Sequence, residues 1–183
     1  MNQAKNMPVV AGAVAAIDED QQYLTFLLSG EMFAIGILNI KEIIEYGNLT
    51  EVPMMPSFIR GVINLRGSVV PVVDLSARFG RNRTEVSRRT CIVIIEVQGE
   101  EEARHDICVV VDSVSEVLEI PRGEIEPPPA FGAKIRVDFI HGMGKVDGKF
   151  VIILNADKVL SVDELSMLGQ AANTIPVMQT EAT

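Results

Sequence analysis

The chain contains no tryptophan, and aromatics make up only 5% of its 183 residues. Any core it forms is therefore aliphatic. Val and Ile dominate its apolar runs, and branching at Cβ suits a pleated strand better than a helical turn. There are only two cysteines, Cys91 and Cys108. Both lie within apolar runs and read as reduced core residues, which excludes a disulfide framework. No run approaches the ~18 apolar residues of a membrane helix, so direct insertion into a bilayer is not expected. An excess of positive charge is also missing. The formal net charge is −9, which repels phosphate backbones and disfavours nucleic acid as a partner. At 48% apolar content, a packed globular protein of one domain or two small subdomains is expected.

Catalytic and metal-binding patterns are equally scarce. The two histidines, His105 and His141, read as strand-surface or turn residues, since a structural zinc site needs about four closely paired Cys or His ligands. Gly142-Met143-Gly144 precedes a strand, whereas a dinucleotide loop must open a helix. Asp74 and Asp112 each follow an apolar strand and read as residues that cap or turn the chain. No Ser or Cys sits in a nucleophile elbow. No cofactor, metal or enzymatic activity is expected, which leaves binding surfaces.

What the chain does contain is a repeat. Phe58-Ile59-Arg60-Gly61 lies over Phe139-Ile140-His141-Gly142, an offset of 139 − 58 = 81. Continued without a gap, Gly67 falls on Gly148, Val70 on Val151 and Asp74 on Asn155. Upstream, Asn39 to Glu45 aligns with Ser113 to Glu119, an offset of 113 − 39 = 74. The second copy has extra residues between these blocks, where the stiff connector Pro127-Pro128-Pro129 lies. Two related halves are too few for a solenoid, which needs about three units or more.

Residues 22–28 and 31–37 read as a hairpin around Ser29-Gly30. Ile40, Ile43 and Ile44 stand at helical spacing behind Asn39 and Glu42, which resemble a capping box, so a short helix is predicted over 38–45. Its copy at 113–119 fits a helix or a strand. Hairpins follow at 61–66 with 68–73 across Arg66-Gly67, and at 139–146 with 149–154 across Asp147-Gly148. Pro71 has no N–H to donate, which predicts an edge strand or a bulge. Strands at 90–98 and 105–112 follow a loop rich in arginine (Arg78, Arg81, Arg83, Arg88, Arg89), read first as solvated and otherwise as an anion or partner contact. Ser161 to Glu164 forms a capping box for a C-terminal helix ending at Gly169. Residues 1–19, acidic at Asp18, Glu19 and Asp20, read as a disordered lead-in and not a signal peptide, and 169–183 as a flexible tail. Many short strands with Gly turns, in two similar halves, predict two small barrels. The Arg66 turn reads equally as a solvated tip or as a cation beside exposed apolar surface.

The run from Phe58 through Asn64-Leu65-Arg66-Gly67-Ser68-Val69-Val70-Pro71-Val72-Val73-Asp74-Leu75 resembles the signature of the CheW coupling family, as do Phe33-Ala34-Ile35 with Ile40-Lys41-Glu42-Ile43-Ile44, and Val110-Val111-Asp112-Ser113-Val114. The resemblance covers about residues 20–168. It implies an all-β fold of two intertwined five-stranded SH3-like barrels with short helices, one at the C-terminus. It also implies a non-enzymatic cytoplasmic adaptor, recruited to receptor arrays at the inner membrane, that couples chemoreceptor tips to the regulatory domain of the histidine kinase CheA. Alternatives are an adaptor of a parallel kinase pathway such as surface motility, and a small-ligand-binding barrel. The family's receptor contacts map onto Ile40, Glu42, Asn64, Arg66 and Val69, and a kinase contact onto Phe131. Glu126 stands where a relative carries Arg, so an ion pair at that contact demands a matching exchange on the kinase.

Overall fold

The computed structural model describes residues 22–99, 101, 103–128 and 135–161. Eleven strands run in chain order: β1 (Gln22–Leu28), β2 (Glu31–Gly36), β3 (Ile40–Glu45), β4 (Ile59–Leu65), β5 (Ser68–Asp74), β6 (Cys91–Gln98), β7 (Arg104–Val111), β8 (Ser113–Glu119), β9 (Ile125–Glu126), β10 (Ile140–Val146) and β11 (Lys149–Leu154). One-turn helices α1 (Leu75–Arg78) and α2 (Ala156–Val159) follow β5 and β11.

The strands form two barrels. The first has the order β8-β1-β2-β11-β10-β9 and the second β3-β6-β7-β5-β4. The expected five strands hold for the second. The first gains a sixth from two-residue β9, whose counterpart in the second is the single bridge Thr50–Val62. Each half of the chain gives its leading hairpin to the other half's barrel. β1–β2 joins β8 to β11 through a parallel β2–β11 contact, and β6–β7 joins β3 to β5 through a parallel β5–β7 contact. Neither half closes a barrel alone, which is the intertwining the family resemblance implies.

The repeat survives in three dimensions. The backbone N–H of Asp74 donates to Phe58 O at 2.7 Å, and that of Asn155 to Phe139 O at 2.8 Å. Asp74 and Asn155 both cap their helices, accepting from Ala77 N at 3.2 Å and Lys158 N at 3.3 Å. The bulge between Ile59 and Gly61 recurs between Ile140 and Gly142. The hairpins match too: Val93 pairs with Ile43 as Leu24 pairs with Val117, and 93 − 24 = 69. The turns Ser29-Gly30, Arg66-Gly67 and Asp147-Gly148 carry both residues at positive φ, the mirror-image turn whose twist suits a two-residue hairpin.

Three apolar clusters form among the described residues. The largest lies between the barrels and contains Phe26, Phe33, Phe79 and Phe139, whose rings follow one another at 6.3, 5.6 and 6.1 Å between centroids. The few aromatics are thus concentrated at the junction. A second cluster (Ile63, Val70, Val72, Ile92, Ile94, Cys108, Val110) fills the second barrel, and a smaller one (Tyr23, Ala34, Ile120, Val151, Ile153) fills the first.

Three expectations are corrected. Residues 40–45 form strand β3 behind a single 3-10 turn at Ile37–Asn39, not a helix. A bulge between Ile40 and Glu42 changes the phase, so Ile40 packs against the main core, Ile44 against the second-barrel core, and Ile43 faces outward. Three isoleucines at helical spacing thus serve different surfaces of one strand. Pro71 lies on β5, which is interior to its sheet and not at an edge; of the two alternatives expected the bulge is the one present, in the β4–β5 pairing between Ile59 and Gly61. Pro71 sits opposite Val62, whose N–H and C=O both bond Thr50 on the other side at 2.9 Å. No donor is needed there, and the parallel pairing with β7 starts only at Val72. The arginine loop is not simply solvated. Arg78 Nε donates to Val159 O at 3.0 Å with its guanidinium 5.1 Å from the Phe58 ring and 4.8 Å from Phe139. Arg81 pairs with Glu31 at 3.1 Å, and Arg83 Nε donates to Ser57 O at 2.7 Å. Arg78 and Arg81 tie the barrels together, Arg83 ties the loop to the start of β4, and Arg88 and Arg89 remain exposed. The C-terminal helix, both terminal segments and Phe131 lie outside the described residues.

Candidate protein-interaction site

The tip of the β4–β5 hairpin is held open by its own side chains. Asn64 Oδ1 accepts from Gly67 N at 2.9 Å, which fixes the turn. Arg66, in the left-handed region at φ 49, projects from it with 81% of its side chain exposed. Its Nη2 meets Glu42 Oε2 at 3.2 Å. β3 and β4 are the two outermost strands of the second sheet, so this ion pair spans the seam where the sheet curls into a barrel. An exposed pair is worth about 0–1 kcal/mol. Its main effect is to orient the guanidinium and leave most of its five donors for a partner.

Val69 stands beside this turn with 70% of its surface exposed. Of the five receptor-contact residues expected from sequence, the structure places Asn64, Arg66 and Val69 at one hairpin tip and Glu42 against it, on β3, through the Arg66 ion pair. Ile40 lies at the bulge two residues before Glu42, half-buried against the main core. Glu126 belongs to the other sheet: it is exposed on β9 and pairs with Met143 of β10. Sequence reasoning missed Leu38 and Ile43, which stand 69% and 41% exposed on either side of Ile40. Strand alternation was the signal for Ile43, and the helix reading hid it.

His105 and His141 lie exposed on β7 and β10. Among the described residues no group of three or more His, Cys, Asp or Glu is arranged to hold a metal ion. Burial pushes the Cys108 thiol up to about 12, with the Asp106 charge adding to it, which makes it inert at neutral pH. Asp74, a candidate carboxylate by position, is fully buried and spent on Arg60 Nε, Thr84 N and Ala77 N at 2.9, 2.9 and 3.2 Å. Cavities of about 480 and 640 Å³ open at opposite ends of the first barrel.

The model of the CheW-like domain matches residues 22–164. The chain belongs to the CheW family. The chemotaxis protein CheW of Klebsiella aerogenes is 30% identical over 154 residues, covering 84% of this chain and 90% of that protein. The crystal structure of the scaffolding protein TtCheW from Thermoanaerobacter tengcongensis superposes with a TM-score of 0.70 at 34% identity, over 78% of this chain and 89% of that one. Protein FrzA of Myxococcus xanthus is 30% identical over 143 residues, covering 77% of this chain and 86% of its own. Membership of the CheW family makes the chain a coupling adaptor of chemotaxis signalling. No helix among its described residues is long and apolar enough to cross a membrane.

Proposed function

We propose that the protein bridges the cytoplasmic tips of chemoreceptors to the regulatory domain of the histidine kinase CheA, without turnover or cofactor, at receptor arrays on the cytoplasmic face of the inner membrane. The observation that carries this reading is the Arg66 tip. An oriented, exposed cation stands beside exposed Val69 and behind Glu42, a composition suited to a helical bundle with an apolar stripe and a polar flank. Glu42, Asn64, Arg66 and Val69 make this contact, with the exposed part of Ile40 at its edge. The kinase contact involves Glu126 and Phe131, and a cation on the kinase faces Glu126.

The test is reconstitution of receptor-controlled kinase activity with the wild-type chain and Arg66→Ala. Loss of a desolvated Arg anchor weakens receptor binding by about 2 kcal/mol or more, roughly 30-fold. The mutant should melt with the wild type, since an exposed pair contributes little to folding. Unchanged receptor control in the variant refutes the site. The likeness to FrzA keeps a second reading in view, an adaptor of a parallel kinase pathway such as surface motility. Deleting the gene and scoring swimming against surface spreading separates the two.

A further inference from the structure

The receptor tip has an internal image that carries the opposite charge. At the offset of 81, Arg66 becomes Asp147 and Val69 becomes Phe150; at the offset of 74, Glu42 becomes Glu116. In the second barrel Arg66 and Glu42 latch the seam. In the first, two carboxylates occupy those places, and neither forms an ion pair among the described residues. Here the barrel end opens into the 640 Å³ groove, lined among others by Leu27, Met32, Leu118, Val146 and Phe150. The fold does not require an apolar mouth. Leu27 pairs with Met32 on β1–β2 as Glu96 pairs with Asp106 on β6–β7, so the equivalent rim of the second barrel is acidic and tied down by Arg104 and Lys41.

We propose that this mouth is a second docking site, for an amphipathic helix of a partner protein that carries a large apolar stripe flanked by Lys or Arg. The charge of the rim selects that occupant. Among the described residues Glu116 and Asp147 line the groove without an ion pair, Glu31 is already held by Arg81, and Lys149 is the one cation in the lining. The partner's cation supplies what Arg66 supplies to Glu42 in the other barrel. The apolar row runs from Leu118 on β8 to Val146 on β10, across the strand order β8-β1-β2-β11-β10. The same acidic rim disfavours an anionic bilayer.

The probe is an 18-residue amphipathic peptide with a Leu stripe flanked by Lys, compared with a twin in which Glu replaces Lys, titrated by fluorescence anisotropy into the full chain. The Lys peptide should bind at least about tenfold more tightly than its twin. L27E/M32D installs the pair that the second barrel carries at the same positions, and Asp147→Arg restores its latch; each should weaken the Lys peptide by about tenfold or more. Both variants should melt cooperatively and keep receptor-tip binding, whereas Arg66→Ala should lose the receptor and keep the peptide. The proposal is overturned by equal binding of the two peptides, by variants that leave the Lys peptide unaffected, or by loss of peptide binding in Arg66→Ala. It is also overturned if sedimentation shows self-association abolished by L27E/M32D, which makes a second copy the occupant, or if the mouth mediates flotation with anionic vesicles.

Discussion

The two barrels share a backbone plan and differ in what fills it. The second holds Ile94, Cys108 and Ile63 in its core; the first has Thr25, Ala34 and Gly144 at the matching positions. Ile120 takes up the space at Gly144, where an added Cβ would meet its Cδ1 at 3.0 Å. Thr25, fully buried, is satisfied by accepting from Glu116 N at 3.2 Å and donating to Glu116 O at 2.8 Å. Close packing constrains the summed volume and the hydrogen-bond pairing, not the identity at each position. A duplicated fold can therefore keep one barrel as a well-filled, latched platform and leave the other with a looser, apolar mouth.

The strongest way to break the comparison is at the helix caps. Asp74 and Asn155 occupy equivalent positions and both cap a helix, yet Asp74 also anchors Arg60 and the loop residue Thr84 in a buried network. Asp74→Ala removes the carboxylate that pairs with Arg60, whose side chain is only 14% exposed and keeps its bond to Thr84 O. That should cost about 3 kcal/mol, against about 1 kcal/mol for Asn155→Ala, the ordinary value of a lost cap. Urea denaturation of the two variants measures the difference. Equal costs would mean that the network around Asp74 contributes nothing beyond a cap.

A second pair sharpens the comparison at the bulges. At Gly61, φ is +150 and a Cβ would collide with the backbone carbonyl of Thr50. At Gly142, a Cβ would meet first the end of the Ile125 side chain at 2.6 Å, then Glu126 O at 3.0 Å. Backbone has nowhere to go, whereas a side chain can rotate. Gly61→Ala should cost about 2 kcal/mol and Gly142→Ala about half of that, read from the same denaturation curves. The opposite order would show that the Thr50 bridge yields more readily than β9.

Much of this architecture was legible in the sequence because a repeat imposes the same constraints twice. Gly67 over Gly148, and Asp74 over Asn155, mark both hairpins and both polar caps in the sequence alone. The errors arose where one segment answers to two surfaces. Ile40, Ile43 and Ile44 split between two cores and solvent, and a bulge disguised their alternation as helical spacing. The arginine loop read as solvated because its partners, Glu31, Ser57 and Val159, are separated from it by 20 residues or more. Of the candidate site, Arg66 and its neighbours could be placed from the hairpin signal. The Glu42 latch could not, because it joins strands that only barrel closure brings together.

The smallest expected effect tests the interior of the second barrel through pH. Cys108 occupies the position of Ala34 in the first barrel, and burial, helped by the Asp106 charge, raises its thiol from 9.0 to about 12. Below pH 9 the thiol is protonated in folded and unfolded chains alike, and its ionisation contributes nothing to the pH dependence. Between 9 and 12 the unfolded chain releases the proton and the folded chain retains it, so stability falls as pH rises through that window. Cys108→Ala puts the first barrel's own residue in its place. The variant should be slightly less stable than wild type at neutral pH, from the lost sulfur contacts. Its urea midpoint should then fall less than that of wild type between pH 8 and about pH 10.5, since the other titrating groups are common to both. Parallel midpoint curves for the two chains would show that the Cys108 site admits water, and that the second barrel is no better sealed than the first.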